Sequence, residues 1–228
     1  MAILETMAII AAVRAVQAFI KSVNSKPALS AASAPLAARP EKVITFVGAT
    51  NSGKSSTINA LLGYAAFPVG QKHGTTQVVE ERSFVNGYRL RDTPGILDTV
   101  DYSYLIGEAV KTSDLVIFTA TEELYRQELE MLQQIYQKQQ QWDIEAASYG
   151  QRMLALYVNK RDIKNLLLTA EEYEQEIAAI HKQVSYRVPA NRIVLGSAAP
   201  ISRRGKTSPD ISSLKSLISS HISSRTGG

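Results

Sequence analysis

Gly48-Ala49-Thr50-Asn51-Ser52-Gly53-Lys54-Ser55, followed by Ser56, is the stretch that decides how this chain is read. It fits the spacing G-x-x-x-x-G-K-[ST] of a phosphate-binding loop. Its flanks agree. Val43-Ile44-Thr45-Phe46-Val47 before it is short, apolar and β-branched, as a buried strand is. Ser55 to Gly63 after it places Ile58, Leu61 and Leu62 at helical spacing, with Gly63 as a stop. Gly48 and Gly53 lack a Cβ, so the backbone can wrap a polyphosphate and turn its N–H groups inward. The N-terminus of the following helix adds positive potential. Lys54 brings a full charge to the β- and γ-phosphates, and the Ser55 hydroxyl is placed to hold Mg²⁺.

The rest of the composition sets limits. With 228 residues there is room for one domain with a sizeable core and an appendage. The 45% apolar and 20% charged content is that of an ordinary globular chain. Cysteine is absent, which excludes disulfides and cysteine-ligated metals and suits a reducing compartment such as the cytoplasm. A net charge of +4 is too mild to demand nucleic acid or anionic lipid as a partner. No apolar run is long enough for an ordinary membrane span.

Residues 1–25 read as an amphipathic helix. Ile9, Val13, Val16, Ile20 and Val23 share a narrow arc, with Arg14, Gln17 and Lys21 together to one side. Three roles compete: a helix packed on the domain or on a partner, a helix lying in a membrane interface, and a targeting peptide. Residues 26–41, rich in Ser, Ala and Pro, read as a linker, and 42–226 as the main domain. Within it, Val78 to Val85 and Tyr88 to Arg91 flank Asn86-Gly87, a strong hairpin signal. A helix over 101–112, a strand over 115–119, a long helix over 122–145, a strand over 153–158, a helix over 171–187, a strand over 192–195 and a last helix around Ile211 to Ile222 follow. Alternating strands and helices predict an α/β fold. Its mostly parallel sheet is covered by helices on both faces, with the hairpin adding one antiparallel edge strand. Ligands of such sheets sit beyond the carboxyl ends of the strands. The loop at Gly48, Asp92, Asn159 and Ser197 all fall at predicted strand ends.

GATNSGKSS at 48–56, the pair Thr75-Thr76, Asp92-Thr93-Pro94-Gly95, Asn159-Lys160-Arg161-Asp162 and Gly196-Ser197-Ala198 occur in the order and spacing of translation-factor-type GTPases. Over roughly 42–224 the chain resembles the Era/TrmE group most closely, with some likeness to septin- and AIG-like GTPases in GKSSTINALLG. The resemblance implies a P-loop GTPase fold with a six-stranded sheet. It also implies GTP and GDP as ligands, Mg²⁺ as cofactor, K⁺ as a candidate second ion, and hydrolysis of GTP as a molecular switch. The rival is a GTP-controlled scaffold on a membrane surface, anchored by residues 1–25. Era carries an RNA-binding domain after its GTPase domain. This chain ends about four residues past its last predicted helix, so RNA is an open partner rather than an expected one, beside an effector protein and a GTP-dependent dimer.

Asp162 can accept hydrogen bonds from the ring N–H and the exocyclic amine of guanine, a donor pair that adenine lacks. By resemblance Asn159 braces the site, Lys160 lies along the ring, and the Ala198 N–H, beside Ser197, meets the guanine carbonyl. Ser52, Gly53, Lys54, Ser55 and Ser56 would bind the phosphates. Asp92 reads as the carboxylate that holds Mg²⁺ through water, with Ser55. Thr76 is the expected switch threonine closing on Mg²⁺, and Thr75 is its alternative. Gly95, by resemblance, offers its N–H to the γ-phosphate. Asn51 stands where the Era/TrmE group places an asparagine that helps bind K⁺; the other reading is an asparagine that only stabilises the loop. Ile96 stands where Ras-like GTPases use a glutamine to orient the attacking water, so slow intrinsic hydrolysis is expected. His73 is read as a solvated loop histidine.

Overall fold

The computed structural model describes residues 42–69, 79–95, 103–121, 124–145, 153–161, 168–185, 187–199, 201–202, 205–206 and 208–226. The expected helix at 1–25 and the linker at 26–41 lie outside them, as do His73, Thr75, Thr76, Ile96 and Asp162. The strand Lys42–Val47 (β1) runs into the glycine loop and then the helix Lys54–Leu62 (α1). The hairpin Glu80–Ser83 (β2) and Tyr88–Asp92 (β3) follows, then the helix Ser103–Lys111 (α2), the strand Leu115–Ala120 (β4) and the helix Arg126–Glu145 (α3). The strand Met153–Val158 (β5), the helix Ala170–Gln183 (α4), the strand Ile193–Leu195 (β6), a small hairpin of Ile201–Ser202 (β7) and Gly205–Lys206 (β8), and the helix Ser212–Thr226 (α5) complete the order. The main sheet has six strands in the order β2-β3-β1-β4-β5-β6, with every pairing parallel except β2 with β3.

The period of two along each central strand sorts side chains onto two faces. Ile44 and Phe46 of β1, Leu115 and Ile117 of β4, and Ala155 and Tyr157 of β5 pack with Ile58 and Leu61 of α1 and Leu214, Ile218 and Ile222 of α5. Val47, Val116, Phe118, Leu154 and Leu156 face the other way, onto Ile106 of α2, Leu132 and Ile135 of α3, and Ile180 of α4. Both faces are covered, so these strands carry nearly continuous apolar runs. Truncating a side chain such as Phe46, fully buried, is expected to cost about 3–5 kcal/mol.

The edge hairpin obeys a different logic. Asn86 and Gly87 both have positive φ, 54° and 74°, the backbone that a tight hairpin turn requires and that Asn-Gly supplies. Tyr88, Leu90 and Asp92 face the core, whereas Arg89 and Arg91 turn to the other side and pair with Glu81. Arg91 also donates to the Ala109 carbonyl at 2.8 Å and the Thr112 hydroxyl at 2.7 Å, docking α2 on this edge.

Several boundaries differ from those predicted. The long helix α3 starts at Arg126 rather than Glu122, because the Glu128 carboxylate accepts the Tyr125 N–H at 3.0 Å and closes the first turn there. The helix α4 ends at Gln183 rather than Arg187; Ser185 turns left-handed at φ 52°. Its start carries a capping box: the Thr169 hydroxyl accepts the Glu172 N–H at 3.2 Å, and the Glu172 carboxylate accepts the Thr169 N–H at 2.7 Å. The hairpin at 201–206 had no counterpart among the predicted elements.

His221 of α5 is 3% exposed, at the end of the sheet away from the glycine loop. Its ring meets Tyr88 edge-on at 6.1 Å between centroids, with Nδ1 3.2 Å from Met153 Sδ. Burial first, then the charge of Arg225, push its pKa from 6.5 down to about 4, with Asp114 pulling the other way. A histidine neutral in the fold but protonated sooner when unfolded contributes fully above about pH 6.5, and that contribution falls as pH drops towards 4. We expect urea midpoints of the wild type to decline across this window and those of His221→Gln to decline less; parallel profiles would show that His221 is not responsible.

Candidate functional site

Five loops emerge from the carboxyl ends of β1, β3, β4, β5 and β6. The glycine loop is held there by close contact. A Cβ on Gly48, whose φ is 150°, would come within 2.1 Å of the Thr119 carbonyl oxygen. A Cβ on Gly53, at φ 94°, would come within 2.1 Å of Asn159 Nδ2. The first glycine lets the loop press on β4, and the second lets it press on the loop after β5. Gly53 is also the N-cap of α1, which has no side-chain cap and no acidic residue in its first turn. No carboxylate of that turn therefore competes with a ligand anion for the first N–H groups of the helix. Lys54 is 6% exposed, and its ammonium donates to the carbonyls of Gly48 at 3.2 Å and Ala49 at 2.9 Å, so its charge lies across the loop. The hydroxyls of Thr50 and Ser52 are buried without a hydrogen-bond partner, donors suited to a polyphosphate. Asn51 stands exposed in the left-handed region at φ 62°, and Ser56 is half-buried in the first turn of α1.

Asp92 is fully buried at the end of β3. Its carboxylate accepts the Ser55 hydroxyl at 2.6 Å. Two hard oxygen donors from different elements thus meet at the mouth of the loop, the donor chemistry that Mg²⁺ takes. Thr93 donates to the Phe46 carbonyl at 2.8 Å and fixes the turn after Asp92 against β1. That turn brings Gly95 onto the glycine loop: a Cβ there would lie 2.1 Å from Thr50 Oγ1. Glu128 of α3, 1% exposed, lies within electrostatic reach of Lys54. Burial raises its pKa, opposed by the Tyr125 N–H and by the Lys54 charge.

On the other side, Asn159 is 2% exposed and ties three segments together. Its amide donates to the Ser52 carbonyl at 2.9 Å, and its carbonyl accepts the Ala198 N–H at 2.9 Å and the Tyr157 hydroxyl at 3.3 Å. The Ala198 N–H, assigned by resemblance to a guanine carbonyl, is thus directed at Asn159. Ser197 exchanges both backbone hydrogen bonds with Asp210, each at 2.8 Å, which anchors the loop after β6 to the start of α5. Lys160 is exposed, at φ 60°. Arg161 turns inward and is fully buried, with its guanidinium paired to Glu176 of α4.

Of the residues singled out in the sequence, the structure brings Ser52, Gly53, Lys54, Ser55, Asp92, Gly95, Asn159 and Ala198 into one region. Thr76 and Asp162 lie outside the described residues. Sequence reasoning missed Tyr157 and the pair Arg161–Glu176. The signal was present: Glu176 sits in the stripe of Tyr173, Ile177 and Ile180 that packs on the core, where a carboxylate needs a partner.

Asn159→Ala would leave the Ser52 carbonyl and the Ala198 N–H buried without their partner. We expect a stability loss of about 2 kcal/mol or more, read as a lower urea midpoint. Gly53→Ala should cost at least as much, since it adds left-handed strain to the clash with Asn159. Near-wild-type midpoints for both would show that the brace carries little.

Comparison with known proteins identifies the family. The family model for the 50S ribosome-binding GTPase matches residues 43–183. The ribosome biogenesis GTPase A of Thermotoga maritima is 44% identical over 54 residues, 24% of this chain and 21% of that protein. The tRNA modification GTPase MnmE of Mesomycoplasma hyopneumoniae is 32% identical over 140 residues, 58% of this chain and 28% of that protein. The chain therefore matches less than a third of the length of these curated relatives. A crystal structure of an Aquifex aeolicus Era variant bound to GDP·AlF4⁻ shares the fold, with a TM-score of 0.55 and 21% identity over 81% of this chain and 57% of that one. The chain belongs to the 50S ribosome-binding GTPase family, as an Era/TrmE-like P-loop GTPase domain.

Proposed function

We propose that this chain binds GTP with Mg²⁺ and hydrolyses it to GDP and phosphate as a molecular switch. The observation that carries the reading is the meeting of the Ser55 hydroxyl and the Asp92 carboxylate at 2.6 Å beside an uncapped helix N-terminus and the Lys54 ammonium. A triphosphate anion and a hard divalent cation are the ligands that such a set of donors suits. Ser55 and Asp92 would hold Mg²⁺, and bound Mg²⁺ would neutralise charge on the β- and γ-phosphates. Lys54 would move from the loop carbonyls to the phosphate oxygens, exchanging neutral acceptors for charged ones. Gly95, in contact with Thr50, would direct its N–H at the γ-phosphate, and Thr76 would complete the γ-phosphate side. Loss of that phosphate would release both segments, which gives two states.

Asp162 would choose guanine, next to Asn159 and Lys160. Asn51, exposed at the loop tip, would take part in holding K⁺ near the bridging oxygen, where charge develops in the transition state. With Ile96 unable to orient water, turnover without such an ion or a partner should be slow. The family description names the ribosome. One Era structure sharing this fold, at a TM-score of 0.52, was solved with a fragment of 16S ribosomal RNA. Structured RNA is accordingly the first effector to try.

Phosphate release from GTP, followed with Mg²⁺ in KCl and in NaCl, tests the reading. We expect measurable turnover in KCl, loss of about a hundredfold or more in Lys54→Ala, and abolition of the KCl advantage in Asn51→Ala. Equal rates in wild type and Lys54→Ala would refute the catalytic assignment, and identical rates in the two salts would remove K⁺.

A further inference from the structure

We infer that Tyr157 is a positioning residue for the phosphate loop, its hydroxyl locking the Asn159 amide that clasps Ser52. This rests on the reading of the glycine loop and Asn159 as parts of a guanine-nucleotide site. Tyr157 lies on β5, just before Val158 and Asn159, and is fully buried. Its hydroxyl meets the Asn159 side-chain oxygen at 3.3 Å. The same oxygen accepts the Ala198 N–H at 2.9 Å, and Asn159 Nδ2 donates to the Ser52 carbonyl at 2.9 Å.

The roles in this network follow from the groups themselves. The Ser52 carbonyl can only accept and the Ala198 N–H can only donate. The amide therefore has a single orientation, with Nδ2 toward the glycine loop and Oδ1 toward Ala198. The Tyr157 hydroxyl, able to do either, is left to donate. Burial, and then the Asp210 carboxylate, push its pKa up, so it keeps the proton that it donates. Both lone pairs of Oδ1 are then engaged. Space is reserved for these contacts. A Cβ on Gly196 would lie 3.1 Å from both Cε2 and the hydroxyl oxygen of Tyr157. A Cβ on Gly53 would lie 2.1 Å from Asn159 Nδ2, at the other end of the amide. Ring, amide and glycine loop thus stand in series.

Tyr88 supplies the contrast. It is buried in the same apolar cluster, yet its hydroxyl has no hydrogen-bond partner among the described residues. Packing in this cluster therefore does not require a bonded hydroxyl, and that of Tyr157 is set apart by what it touches. Without it, the Asn159 oxygen keeps one donor of two, the amide gains freedom to swing, and the clasp on Ser52 slackens. A slackened loop acts on release of a ligand more than on its encounter.

The test follows release of a fluorescent GDP, N-methylanthraniloyl-GDP, from the full chain with Mg²⁺, chased by excess GDP. Wild type, Tyr157→Phe and Tyr88→Phe are compared, with a thermal melt of each. Phenylalanine keeps the ring, so both variants should stay folded. We expect Tyr157→Phe to release the nucleotide about three- to tenfold faster, with association within about twofold of wild type. Tyr88→Phe should match the wild type in both. A purely structural loss would lower the melting temperature and leave release from the folded protein unchanged. NMR gives the second readout: solvent exchange of the Asn159 side-chain NH₂ protons should quicken in Tyr157→Phe and not in Tyr88→Phe. Wild-type release from a folded Tyr157→Phe, or faster release with Asn159 exchange unchanged, would overturn the inference. Wild type that binds no GDP would instead refute the reading of the site, and NH₂ exchange in the ligand-free chain would still show whether Tyr157 holds the amide.

Discussion

One amide side chain holds the two halves of the candidate site together. Asn159 donates to the glycine loop at Ser52 and accepts from the loop after β6 at Ala198. The glycine loop and the loop after β6 are thereby held at a fixed separation, as the proposed nucleotide, a ligand of fixed length, would require. The bonds are buried, so water does not compete for them. Gly53 is shaped around the same contact, since a side chain there would displace the Asn159 amide.

Around that bond the sheet acts as a rigid platform. Asp92 is the last residue of β3, and Asn159 and Gly196 follow directly on β5 and β6, whose side chains are closed in on both faces. Their backbones continue the ladder: the Asn159 N–H donates to the Ala120 carbonyl and the Gly196 N–H to the Val158 carbonyl. Functional side chains are therefore placed by main-chain geometry before any ligand arrives. The charges are arranged asymmetrically. Lys54 lies across the glycine loop with the capping carboxylate of Glu128 within electrostatic reach, and Asp92 faces Ser55. Arg161 takes its counter-charge from Glu176 of α4.

What could be read from the sequence follows from which interactions are local. The strand, loop and helix from Val43 to Gly63 were legible because motif spacing and periodicity coincide there. The edge hairpin was legible because Asn86-Gly87 provides the two positive φ angles that its turn uses. The parallel order of β1, β4, β5 and β6 followed from alternation of strands with helices. Helix ends were less legible. The start of α3 depends on a carboxylate reaching back from Glu128, and the end of α4 on a left-handed Ser185 with no glycine to mark it. In the site, residue types announced the loops but not their cross-links. Tyr157 reads as one more apolar strand residue until its hydroxyl meets Asn159. Arg161 reads as the variable position of its motif until Glu176, 15 residues on, is found against it.

The central claim is that this rigid rim selects a guanine nucleotide by its base edge while the glycine loop holds its phosphates. Calorimetric titration of the purified chain with GDP and with ADP, each with Mg²⁺, tests it most directly. The account predicts tight binding of GDP and at least about a hundredfold weaker binding of ADP, because adenine lacks the donor pair that the carboxylate proposed for base selection would accept. Equal affinities for the two, or none for either, would contradict it.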